Sequence, residues 1–146
     1  MSATPISTLQ HLAQISRDGR NGFLEAAQAV KDPNLQNTFR KASARCEAGE
    51  KELEREITKL GGSTTDSGSV AGAVHRAWID LKSAVTGGDE KAILEECERG
   101  EDVAKAAYEK ALKAELAPEV IALVQKQYAG VLENHDLIKR LRDTAH

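Results

Sequence analysis

Apolar residues recur every three or four positions through most of the chain, and the recurrence breaks at Asp32-Pro33, Gly61-Gly62, Gly87-Gly88 and Ala117-Pro118. Such spacing lines up side chains along one face of a helix, whereas in a strand it would scatter them over both faces, so the chain is committed to amphipathic helices. The pattern predicts helices over 5–31, 34–60, 70–86, 89–116 and 118–143. Thr4-Pro5, Asp32-Pro33 and Asp89 supply the side-chain caps and first-turn prolines that begin helices. The low aromatic content, 3%, argues the same way, since sandwiches and barrels lean on aromatic and β-branched residues.

Helix lengths carry the topology. Four helices are long, and the fifth, with Val74, Trp78, Leu81 and Val85 on its apolar face, is shorter and falls between two hairpins. An up-and-down bundle needs only a short loop there, whereas two hairpins joined by a long crossover give the ferritin-like order. The predicted fold is therefore all-α: a ferritin-like four-helix bundle with an additional short helix on the crossover between helices 2 and 3. A chain of 146 residues fits one domain, residues 1–146. Trp78, beside His75 and Arg76, reads as the anchor docking the short helix.

Charge narrows the partners. Charged residues are numerous but nearly cancel, to a net −3, so no global field favours nucleic acid or an anionic membrane. The first residues lack a basic and apolar leader, and no run approaches the roughly 20 apolar residues of a membrane span. A cytoplasmic monomer or small homo-oligomer is the expectation. Cys46 and Cys97 read as reduced, buried thiols.

Polar residues at core positions are the functional clue. The seam of helix 3 runs Cys97, Glu101, Ala104, Tyr108, and that of helix 4 runs Tyr128, Val131, His135, Ile138. Glu101 and His135 are thus predicted to face inward at one level and to contact each other, because an unpaired buried charge costs several kcal/mol. Glu25 and Glu47 fall near the same level on helices 1 and 2. Carboxylates and an imidazole converging at mid-bundle form a ligand set for iron, manganese or zinc. The candidate ligands are Glu25, Glu47, Glu101 and His135, with Glu50 in reserve. The pattern is incomplete: Leu132 stands where a Glu-x-x-His motif ending at His135 needs its Glu, and helix 2 offers Glu47-x-x-Glu50. No cofactor is therefore the first expectation, and metal is the alternative.

Gly19, Gly22, Gly49, Gly100 and Gly130 fall inside predicted helices, at about 1 kcal/mol each relative to Ala. Close approach of helices explains them; room for a ligand is the functional alternative. No P-loop, GxGxxG, HExxH or Ser–His–Asp order is present, which leaves nucleotide-dependent and nucleophilic enzymes without a foothold.

The block 68–82 (GSVAGAVHRAWIDLK), the run 92–102 (AILEECERGED), Gln127-Tyr128-Ala129-Gly130 and the His135-Asp136 pair together resemble a bacterial family of ferritin-like four-helix-bundle proteins that is described as a domain of unknown function. The resemblance covers nearly the whole chain and implies the fold and a bacterial, cytoplasmic setting, but no reaction. Three functions compete: a non-enzymatic structural, stress-related or interaction bundle; a metal-binding bundle; and a small-ligand binder whose apolar pocket has Glu101 in its wall.

Overall fold

The computed structural model describes residues 4–63 and 89–144, which form four α-helices with no strand among them. They are α1 (Pro5–Ala29), α2 (Pro33–Lys59), α3 (Glu90–Ala111) and α4 (Pro118–Thr144). The helix predicted over 70–86 lies outside the described residues.

Each start is fixed by local chemistry. The Thr4 hydroxyl accepts from Ser7 N at 3.1 Å, Asp32 Oδ1 from Asn34 N at 2.9 Å and Asp89 Oδ1 from Lys91 N at 3.0 Å. Caps of this kind contribute about 1 kcal/mol each by satisfying amides that have no partner inside the helix. The first three of these helices end earlier than the periodicity suggests. α1 stops at Ala29, because Val30 turns extended ahead of Asp32-Pro33, and its free carbonyl accepts from Gln36 Nε2. α3 stops at Ala111, not 116: Lys113 N and Ala114 N bond carbonyls three residues back, a tightened final turn that lets the chain reverse before Pro118. At the end of α2, Gly61 takes φ 82°, which its missing Cβ permits, and Gly62 N closes onto Ile57 O.

α1 packs along α2 and α3 along α4; the hairpins join through α1 against α3 and, more sparsely, α2 against α4. Two sets of end contacts orient them. Gln10 Nε2, near the start of α1, donates to Ser63 O just past α2. At the opposite end the amides of Lys31 and Asp32 donate to Glu90 Oε2 in the first turn of α3. Residues 63 and 90 therefore lie at opposite ends of the bundle, and α2 and α3 point the same way.

The core is divided into two clusters. One holds Leu9, Leu12, Leu53, Ile57, Tyr108 and Val124; the other holds Phe23, Phe39, Ile93, Leu94, Cys97 and Ile138. Phe23 and Phe39 stack with ring centroids 6.2 Å apart. All four helices contribute to both clusters. Between the clusters the bundle is polar.

Candidate functional site: a polar layer around a mid-bundle cavity

Glu101 is on the inward face of α3, as the seam requires, and is 3% exposed. Its partner is Arg45 of α2, whose Nη2 stands 3.4 Å from Glu101 Oε1. Arg45 Nη1 also donates to the carbonyl of Gly130 on α4, so one side chain ties three helices together. Asn134 lies against the same carboxyl and favours its charged form, yet neither Asn134 Nδ2 nor Glu101 Oε2 closes a hydrogen bond of ordinary geometry. Burial pushes the Glu101 carboxyl above the ordinary carboxylate range, against the opposing pull of Arg45. Burial acts to lower Arg45, but the neighbouring Glu101, Cys46 and Tyr108 outweigh it and hold the guanidinium above its usual value.

The rest of the layer is mostly uncharged, with Glu52 at its edge accepting from Gln127 Nε2 at 3.3 Å. Tyr108 donates to Gln127 Oε1 at 2.7 Å, and Gln127 Nε2 donates to Gly49 O at 3.2 Å. Burial raises the Tyr108 hydroxyl, with Ser16 beside it acting in the other direction. Burial also pushes the Cys46 thiol up to about 11, partly offset by Arg45, so it stays a thiol at neutral pH. Both cysteines are free.

This layer encloses a cavity of about 230 Å³. Its polar wall includes Arg45, Glu101, Tyr108, Gln127 and Glu52, and its apolar wall includes Ile15, Ala104 and Val131. Exposed Ala48 and Lys126 also line it, so it reaches the surface between α2 and α4, the loosely packed seam. Gly19, Gly49, Gly100 and Gly130, four of the helical glycines, are in the lining. A Cβ on Gly19 would stand 3.0 Å from Cys46 Sγ and one on Gly130 3.3 Å from Arg45 Cδ, so these two glycines let neighbouring side chains lie close against the helix. A Cβ on Gly49 would meet Gln127 at an ordinary 3.6 Å, so at that position the missing side chain is space.

The four candidate metal ligands are not brought together. Glu25 is exposed on α1, and Glu47 is exposed on α2, in an ion pair with Lys51. Glu50, the reserve ligand, is buried, but Arg17 at 2.8 Å and Arg20 at 2.5 Å hold its two oxygens. The predicted Glu101–His135 contact is replaced by two others: Glu101 goes to Arg45, while His135 Nε2 stands 2.6 Å from Asp102 Oδ1. The reason is register. The inward position of α4 at this level belongs to Asn134, which places His135 toward the α3 side where Asp102 stands.

Sequence reasoning missed Arg45 and Asn134. Arg45 is adjacent to the seam residue Cys46 and becomes visible as a partner only once α2 is set against α3. The groups set against Glu101 are the Arg45 guanidinium and the Asn134 amide, with the His135 charge acting from farther off, a set that suits hydrogen bonding to an organic molecule better than coordination of a cation. Among the curated proteins no sequence matches this one. The family model for the domain of unknown function DUF2383 matches residues 4–114, and the chain belongs to that family.

Proposed function

We propose that the protein is a binding protein, not an enzyme, and that it holds a small organic molecule in the mid-bundle cavity. The observation that carries this is a buried carboxyl with one oxygen lacking a hydrogen bond, in the wall of a cavity of about 230 Å³. Arg45 and Asn134 leave that carboxyl incompletely bonded, and a ligand donor reaching it from the cavity would add a charge-assisted hydrogen bond. An apolar cavity of about 150 Å³ accepts benzene, so this one suits a ring system somewhat larger, carrying one N–H or O–H group.

The same proposal includes a ferritin-like crossover. Two contacts support it, Gln10 with Ser63 and Lys31 with Glu90, which put residues 63 and 90 at opposite ends of the bundle, and the apolar spacing of Val74, Trp78, Leu81 and Val85 suits a helix for that passage. A cytoplasmic, bacterial setting belongs to it as well, supported by two free thiols and by the family resemblance.

Indole, with an apolar bicycle and one N–H, is a direct probe. Titration followed by amide NMR is expected to show saturable shifts at Gly49, Gly100 and Gly130 and none at Phe39, which belongs to the apolar cluster away from the cavity. Shifts that fail to saturate, or that spread over the surface without touching those glycines, would rule the cavity out as the binding site.

A further inference from the structure

We infer that Glu98, Asp102 and His135 form a site for a first-row divalent ion of the zinc class, on the outer face of the α3–α4 hairpin. Glu98 and Asp102 are four residues apart on α3, hence on one face, and His135 reaches them from α4. One ligand atom from each residue lies within 4.8 Å of the others. An ion about 2.0–2.2 Å from each donor can be seated among atoms so spaced after small side-chain rotations. The His135 Nε2 to Asp102 Oδ1 distance, 2.6 Å, already holds the imidazole nitrogen and a carboxylate oxygen side by side.

Exposure and surroundings favour an ion as well. The side chains of His135 and Glu98 are each 12% exposed and that of Asp102 is 59% exposed, so two donors are held by packing while the third opens the site to water. On the other side of the imidazole, Asp136 Oδ1 stands 3.6 Å from His135 Nδ1, beyond hydrogen-bond distance but near enough to add negative charge that favours a cation. A cation already visits this corner: Arg142 Nη1 donates to Glu98. Arg142 is held independently by Asp143, at 2.9 Å and 3.2 Å, so it can release Glu98 without losing its ion pair. Arg142 and the metal therefore compete for one carboxylate. One imidazole and two carboxylates, with waters completing the shell, suit zinc and its neighbours better than calcium, which takes six to eight oxygens.

The competition makes the site testable. Zn²⁺ titrated calorimetrically into the full chain, with Co²⁺ as the spectroscopic substitute, is expected to bind one ion. His135→Gln and Asp102→Asn are each expected to weaken binding at least about tenfold. Arg142→Gln is expected to tighten it several-fold, an effect that a merely structural role for this cluster would not produce. Glu47→Gln, exposed on α2 in an ion pair with Lys51, should leave it unchanged, and circular dichroism of each variant verifies the fold. Zinc affinity equal in wild type and His135→Gln, a Co²⁺ spectrum with thiolate charge-transfer bands, or an Arg142→Gln variant that binds no tighter would each overturn the assignment.

Discussion

Glu101 combines two costs, burial of a carboxyl and an oxygen without a hydrogen bond, and Arg45 offsets them only in part. Because the folded protein raises the carboxyl's affinity for a proton, this group contributes stability that is fully present below the ordinary value of 4.5 and is lost as pH rises through the elevated folded value. Glu101→Gln keeps an acceptor for Arg45 and removes the titration. Urea denaturation is therefore expected to show Glu101→Gln gaining on the wild type as pH rises from about 4.5 to 7.5. Arg45→Met should instead cost about 3 kcal/mol at neutral pH, because it leaves the carboxylate buried without its cation. If Glu101→Gln lost ground as pH rose, the sign assigned to Glu101 would be reversed. That Glu101 faces inward was legible in the sequence, because an acidic residue stands in a seam of otherwise apolar residues. Its partner was not. Helical spacing allows steps of three or four, so Val131 could lead to Asn134 or to His135, and both are polar; only packing against α3 selects Asn134.

Among elements, the glycines separate close packing from open space. Gly49 sits where an added methyl meets its neighbours at ordinary distance, so Gly49→Ala is expected to gain up to about 1 kcal/mol from helix propensity. Gly19→Ala puts a methyl 3.0 Å from Cys46 Sγ and is expected to lose about 1–2 kcal/mol, with most of it recovered in the Gly19→Ala, Cys46→Ala double variant. Thermal denaturation of the four proteins reads both effects. Equal stability changes at the two positions would mean that the cavity wall does not distinguish them. The sequence revealed these glycines as costly positions, since each interrupts a helical pattern. It did not divide them, because clearance depends on which side chain of the facing helix arrives opposite. Helix starts were legible to within about a residue, since caps are local chemistry. The end of α3 was not, because apolar residues continue past the point where the chain must turn for Pro118.

At the scale of the whole bundle, the polar layer divides the core, yet all four described helices run through both parts. Every helix places residues in both apolar clusters, so neither half can lose its packing while the other keeps four intact helices. One cooperative unfolding transition is the expectation, with calorimetric and van't Hoff enthalpies equal. Leu53→Ala in one cluster and Phe39→Ala in the other should each cost about 3–5 kcal/mol and lower the same transition. Two resolved transitions would show that the layer is a boundary between independent units. The all-helical class and the pairing of helices into two hairpins could be read from periodicity and short turns. Which hairpin faces meet could not, because the sparse α2–α4 seam and the cavity beneath it arise from tertiary contacts that no single helix encodes.

Ala104→Leu decides whether the space at mid-bundle is a binding site or a packing defect. Ala104 lines the cavity and is 8% exposed, so a leucine there would extend into the space a ligand needs. The measurement is indole affinity, by calorimetry, for wild type and Ala104→Leu. Saturable binding to the wild type is expected, at least about tenfold weaker in the variant, with the variant as stable as the wild type or more so because buried space has been filled. Indole that binds both proteins equally, or binds neither, would contradict it.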